Sequence, residues 1–281
     1  MDTNLTIGAL LAQGSERLRA SSDSPALDAE LLLTHALSVH RTRLKSHPEE
    51  LVPAAQEAAY DALLQRRVTG EPLAYIVGHK GFWSLDLAVT PDVLVPRPET
   101  ELLIERALAL RDEPQGSVVD LGTGSGAIAL SLASERPQWL VTAVDVSPAA
   151  LAIARRNAAA HGLERVEFLA GSWFAPLKER RFDLIVSNPP YIAADDPALL
   201  HPALRHEPQL ALTPGGDGMS SLRQIIRAAP AHLHAGGWLV LEHGWEQAKN
   251  VARELVACGF THVRSHRDLA RHERITEAWW K

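Results

Sequence analysis

From residue 117 onward the chain alternates short apolar runs of strand character with longer amphipathic stretches of helical character, and few folds accept that alternation. The strand candidates are Ser117–Leu121, Leu140–Asp145, Val166–Ala170, Phe182–Ser187, Trp238–Glu242, His262–Ser265 and Ile275–Trp280, with helices such as Pro148–His161 and Ser220–Leu233 between most of them. Strands that follow helices in this way lie side by side in a mostly parallel sheet with helices on both faces. The reading is an α/β domain.

The first 74 residues differ in kind. They read as short amphipathic helices with few aromatics. Ser24-Pro25 marks a helix start, with the hydroxyl as N-cap and proline at the first helical position. Leu27, Leu31, Leu32 and Ala36 then share one helical face, with Asp28 and Glu30 near its positive end. A further helix is expected from Pro53 to Val68, stopped at Gly70, with Arg66 and Arg67 as its solvated end. Between residues 75 and 97, Phe82–Val89 alternates partly between turn residues, which predicts a β-hairpin or extended linker. Pro91, Pro96 and Pro98 keep the chain out of regular structure until a helix over Leu102–Leu110. The expected organisation is a helical domain (1–74), a β-hairpin linker (75–97) and an α/β domain (98–281), and a length of 281 residues accommodates it at roughly 150 residues per domain.

Charge and composition exclude several roles. The formal net charge of −6 argues against a protein that holds nucleic acid by phosphate neutralisation. No apolar run approaches the roughly 20 residues of a membrane helix, and Met1–Asn4 lacks a basic signal-peptide start. A soluble cytoplasmic protein is the expectation. Thirteen histidines include no His-Glu-x-x-His, and the single Cys258 forms neither an internal disulfide nor a multi-cysteine site, so no metal site is expected.

Two motifs carry chemistry. In the first, strand Val118–Leu121 runs into Gly122-Thr123-Gly124-Ser125-Gly126 and then a helix at Ala127. Glycines let backbone approach a ligand, and the helix start offers free N–H groups. Asp145 follows about 20 residues on, at the next strand end, where a carboxylate accepts ribose hydroxyls. A dinucleotide fits this pattern, with Ala127 at the third small position. Asp120, directly before the turn, favours a ligand with a cationic amino group, as in S-adenosylmethionine.

The second motif is Asn188-Pro189-Pro190-Tyr191 after strand Phe182–Val186. Ligands of open α/β sheets bind at the carboxyl ends of the strands, where this tetrapeptide falls. The prolines remove two donors and leave carbonyls free; Asn188 offers an acceptor and a donor, and Tyr191 a flat aromatic face. An NH2 group on a planar system fits between two acceptors, the Asn188 side chain and the Pro189 carbonyl.

With these motifs the chain resembles the release-factor glutamine methyltransferases, over nearly its whole length. The likeness includes Leu27–Leu33, Gly70–Ile76, Phe82-Trp83-Ser84, Val95–Glu101 and Asp120–Leu130. It continues through Glu207-Pro208, Gly215–Gly218 and Leu241–Gln247. The resemblance implies a seven-stranded Rossmann-like methyltransferase domain that moves a methyl group from S-adenosyl-L-methionine to a glutamine side-chain nitrogen, releasing S-adenosyl-L-homocysteine. The implied substrate is the Gly-Gly-Gln loop of class 1 peptide chain release factors. A monomer without stable nucleic-acid or membrane partners is the accompanying expectation. The resemblance implies that Asp120, Gly122, Thr123, Gly124, Ser125, Gly126, Asp145, Trp173 and Asn188 bind the cofactor, Trp173 beside the adenine. Asn188, Pro189, Pro190 and Tyr191 hold the glutamine, with Asn188, Pro189 and Tyr191 catalytic. No dedicated strong base is apparent.

Ser172 departs from the acid that many relatives carry before the tryptophan. Arg97 stays open between pairing within the linker and contacting substrate or cofactor. A ribosomal-protein glutamine methyltransferase shares fold and motif, and a DNA adenine methyltransferase uses the same tetrapeptide on a flipped base. A cofactor-binding protein without catalysis is the competitor from another class.

Overall fold

The computed structural model describes residues 4–281. The chain forms two compact units: one holds the residues up to Gly78 together with His201–His206, the other His79–Leu200 with Glu207–Lys281.

The first unit contains α1 (Ile7–Leu18), α2 (Pro25–Leu37), α3 (Arg41–Ser46), α4 (Ala54–Val68) and α5 (Leu73–Val77). Its core joins Leu10, Leu18, Leu32, Leu33, Tyr60 and Leu64. Helix α2 starts where proline places it, but the Ser24 hydroxyl makes no capping bond. Its buried face is Asp28, Ala29, Leu32 and Leu33, while Leu27 is exposed, so the apolar stripe is rotated from the expected one. The rotation follows from Asp28, which is drawn inward by Arg67 Nε at 2.7 Å and Ser22 Oγ at 2.8 Å. Arg67 is therefore an internal ion-pair partner and not a solvated helix end.

The expected extended linker from residue 75 is corrected at its start. Tyr75–Val77 complete α5, which follows Pro72 and ends on Gly78 in the left-handed region at φ 84°. The hairpin comes next, as β1 (His79–Phe82) paired antiparallel with β2 (Leu85–Ala88).

In the second unit the elements run α6 (Glu101–Leu110), β3 (Gly116–Leu121), α7 (Ala127–Glu135), β4 (Trp139–Asp145), α8 (Pro148–Ala160), β5 (Glu167–Ala170) and β6 (Phe182–Ser187). After these come α9 (Gln209–Leu212), α10 (Ser220–His232), β7 (Leu233–Glu242), α11 (Ala248–Ala257), β8 (Thr261–Arg267) and β9 (Glu273–Trp279). All seven expected strands join one sheet of order β5-β4-β3-β6-β7-β9-β8. The first five are parallel, and β9 enters antiparallel between β7 and β8. Separate apolar clusters cover the two faces, one around Leu103, Leu130 and Val141, the other around Ile185, Ile225 and Leu255. Burial on both faces is why β3 and β6 read as continuous apolar runs. Strand β7 begins at Leu233, earlier than the apolar run suggests, because Leu233 pairs with Phe182 ahead of a register shift. The connection from β3 goes to β4 and β5 on one side and returns to β6 on the other, which opens a crevice beyond the carboxyl ends of β3 and β6.

Candidate active site

Register brings the two motifs together. Leu121 and Ser187 are direct partners across β3 and β6, and the Ser187 hydroxyl donates to the Leu121 carbonyl at 2.6 Å. The next residues on each strand are Gly122 and Asn188, so both motifs open onto the same crevice. A cavity of about 410 Å³ fills it, within the roughly 300–1,000 Å³ of small-molecule sites.

The glycine turn is held from below. Gly122 and Thr123 donate to the Val144 carbonyl at 2.8 and 3.0 Å, which fixes the turn to the end of β4. Gly124 has φ 55°, and a Cβ built there meets nothing within 4 Å, so the missing side chain leaves open cavity. Gly126 serves packing instead. At φ 87°, a Cβ there would stand 2.9 Å from Leu130 Cδ1 and 3.3 Å from Ala154 Cβ. Thr123 and Ser125 line the cavity with Gly122 and Gly124; Gly126 and Asp120 do not. Asp120 was expected at the ligand. It is fully buried, and its Oδ2 accepts from Thr123 Oγ1 at 2.7 Å and Ala129 N at 3.2 Å, so it ties the turn to the first turn of α7. Burial pushes its carboxyl up to about 7.

Asp145 lines the cavity at the end of β4. Its carboxylate accepts from Gly124 N at 2.8 Å and Ser147 N at 2.9 Å. Burial raises its pKa, and these N–H donors oppose the rise. Trp173, at φ 49°, lays its indole against Gly122, with ring carbon Cζ3 3.4 Å from a Cβ built there, and donates Nε1–H to Gln224 Oε1 at 3.0 Å. Ser172 and Gln224 also face the cavity. Sequence reading missed Gln224 and Asn157. The Asn157 side-chain NH2 donates to the carbonyls of Ser125 and Ala88 at 2.8 and 3.0 Å, bracing the turn against β2.

Asn188 and Pro190 line the cavity, whereas Pro189 is buried beneath them. Tyr191 turns away from the cavity lining, packs against the core, and donates its hydroxyl to Glu242 Oε1 at 3.2 Å. Burial and the Glu242 carboxylate hold the tyrosine pKa far above its ordinary value. The expected aromatic face is thus a wall behind the motif. Asn188 Nδ2 donates to Thr100 Oγ1 at 3.2 Å, and Thr100 Oγ1 donates to Glu242 Oε2 at 2.7 Å. Burial lifts the Glu242 carboxyl to about 7, against hydrogen bonds from Thr100 and Tyr191 and the charge of Arg274. Glu242 is the last residue of β7; an acid closing an apolar strand at the ligand-binding edge was the available signal.

Arg97 lines the cavity and forms an ion pair with the fully buried Glu207 carboxylate, which also accepts from Val95 N at 3.2 Å. The ion-pair partner of Arg97 lies outside the linker, 110 residues along the chain, and the pair stands at the cavity wall. It anchors the start of the segment whose Pro208, Leu210 and Pro214 close that side.

Two family models match the chain: the PrmC N-terminal domain over residues 9–78 and the Methyltransferase small domain over residues 98–221. The release factor glutamine methyltransferase of Pseudomonas aeruginosa is 52% identical over 260 residues, covering 92% of this chain and 94% of the relative. That of Xylella fastidiosa (strain Temecula1) is 50% identical over 269 residues, covering 95% and 96%. Among solved structures, a methyltransferase from Pyrococcus furiosus shares the fold at a TM-score of 0.54 and 20% identity, over 71% of this chain and 91% of the other.

Proposed function

The chain belongs to the release factor glutamine methyltransferase family, and from that premise we propose that it methylates the side-chain nitrogen of the Gly-Gly-Gln glutamine in class 1 peptide chain release factors. The observation that carries this reading is Asn188, whose amide opens onto the same cavity as the glycine turn and Asp145.

The cavity suits S-adenosyl-L-methionine. The open space at Gly124 admits the methionine part close to backbone, Asp145 presents acceptor oxygens for the ribose hydroxyls, and the Trp173 indole offers a face for the adenine beside Ser172. When bound, the cofactor supplies an electrophilic methyl group on a sulfonium and leaves as S-adenosyl-L-homocysteine. Gly122, Thr123 and Ser125 line the methionine side. Asp120 and Gly126 act one layer down, by shaping the turn.

An amide nitrogen is a poor nucleophile because its lone pair is delocalised into the carbonyl. Asn188 Oδ1 accepts no hydrogen bond among the described residues and is free to receive one hydrogen of the target NH2; the Pro189 carbonyl, expected as a second acceptor, belongs to a buried residue outside the cavity lining. The Asn188 acceptor would draw density back to nitrogen and orient its lone pair for transfer, and alignment is a large part of the acceleration in such a displacement. Pro190 and Tyr191 keep the loop in place, and the proton leaves to water after the N–C bond forms.

The helical unit selects the protein substrate, since the cavity reads only a glutamine and its neighbours. The proposed enzyme acts in the cytoplasm as a monomer without stable nucleic-acid or membrane partners. Incubation with labelled S-adenosylmethionine and, in parallel, release factors, ribosomal proteins and DNA tests the assignment. Mass spectrometry should locate one methyl group on the Gly-Gly-Gln glutamine. Label in ribosomal protein or adenine instead would overturn it.

A further inference from the structure

The two ends of the Asn188 amide are nearly equal in size and opposite in chemistry, so its function depends on which end faces the cavity. Its neighbours decide. Glu242 and Thr100 are 2% and 4% exposed, and both carboxylate oxygens of Glu242 are engaged by hydroxyls, Oε2 by Thr100 and Oε1 by Tyr191. An ionised carboxylate only accepts, and a hydroxyl has one hydrogen to give. Thr100 therefore spends its hydrogen on Glu242 and meets Asn188 with a lone pair. Only the NH2 end of Asn188 fits there, at 3.2 Å, which leaves the oxygen toward the cavity.

Building on the reading of Asn188 as the group that receives the target amide, we propose that Thr100 and Glu242 are positioning residues for methyl transfer: ionised Glu242 directs the Thr100 hydrogen, and Thr100 locks Asn188 with its oxygen toward the target nitrogen. The device has a built-in reversal. A proton on Glu242 Oε2 donates to Thr100 Oγ1, which frees the Thr100 hydrogen for Asn188 and turns the amide oxygen inward. The groups facing Glu242 are the Thr100 and Tyr191 hydroxyls, Arg274 from β9 and Glu99 before α6; Arg274 favours the ionised form and burial and Glu99 oppose it, bringing its titration to about 7. Correctly oriented Asn188 is thus lost as pH falls through that value.

The test uses the full-length enzyme with S-adenosylmethionine and intact release factor, together with 15N side-chain amide spectra in which the Asn188 signal is identified by its loss in N188A. T100V should lower kcat about 10- to 100-fold, by analogy with the loss of a group that orients a metal ligand, with S-adenosylmethionine affinity unchanged. T100S should regain most of that loss. In an N188A background, T100V should lower kcat no further, because both act through one amide. The Asn188 signal should titrate near pH 7 in the native chain and cease to do so in E242Q, where the acid-side fall in kcat also disappears. Should T100V fail to fold, T100S and E242Q carry the same comparison. A T100V enzyme with native kcat, losses that multiply with N188A, or an Asn188 signal indifferent to Glu242 would overturn the proposal. An active native enzyme whose product is not methylglutamine would instead overturn the substrate assignment, and the amide spectra would still decide the orientation of Asn188.

Discussion

The Asp145 carboxylate accepts the Gly124 N–H at 2.8 Å, so the acid that ends β4 also sets the shape of the glycine turn after β3. Asp145→Ala consequently removes ribose acceptors and strands the N–H groups of Gly124 and Ser147. Calorimetry should show S-adenosylmethionine binding weakened by about 1–3 kcal/mol, the cost of an unsatisfied partner. Asp145→Asn, which keeps one acceptor, should fall between the two.

Asn188→Ala should lower kcat by roughly 10²–10³-fold, as removal of one preorganised polar group does elsewhere, while cofactor affinity changes little. Asn188→Asp should also be impaired, because it sets a carboxylate against the lone pair of Thr100 Oγ1. Steady-state kinetics with titrated cofactor check both.

The buried Asp120 shapes the pH dependence of stability. Its carboxyl titrates at about 7 in the fold against 3.8 as its ordinary value. Below the ordinary value both folded and unfolded chains carry the proton. Between the two values only the fold keeps it, so this stabilisation is lost as pH rises toward about 7. Glu242, lifted from 4.5 to about 7, acts in the same direction. Denaturation midpoints should therefore fall more gently with rising pH in Asp120→Asn than in the native chain.

Arg97→Ala should destabilise the fold by about 3 kcal/mol in urea denaturation, because the Glu207 carboxylate is left buried with the Val95 N–H as its remaining partner. That is the lower end for a buried pair, since the Arg97 side chain is 36% exposed. Adding Glu207→Gln should recover part of the loss, which a double-mutant cycle would register as coupling.

A chain beginning at His79, if it folds, should bind S-adenosylmethionine normally and methylate a short Gly-Gly-Gln peptide as the full chain does. It should lose most activity on intact release factor. Equal activity of both chains on the intact protein would remove the selective role given to the helical unit.

Much of the catalytic unit was legible because parallel strands covered on both faces must be apolar at nearly every position, so β3, β4 and β6 stand out in the sequence. The start of β7 did not stand out, because His234, Gly236 and Gly237 interrupt its pattern and only pairing with β6 makes it a strand. The face of α2 was misjudged for a related reason: a helical wheel counts apolar residues, and an ion pair from α4 decided that Asp28 goes inside.

By itself the sequence determined the order of elements, the glycine turn, the acid after the second sheet strand and the Asn-Pro-Pro-Tyr tetrapeptide, all of which rest on neighbours within a few residues. Which atoms of those motifs meet the cavity was decided by tertiary structure alone. Asp120 went to Thr123 and α7, Tyr191 went to Glu242, and Asn188 was turned by Thr100. The partners of Asn188 and Thr100 lie 88 and 142 residues away along the chain. Local periodicity reports whether a residue is buried; strand register decides what it is buried against, and a hydrogen bond depends on the second.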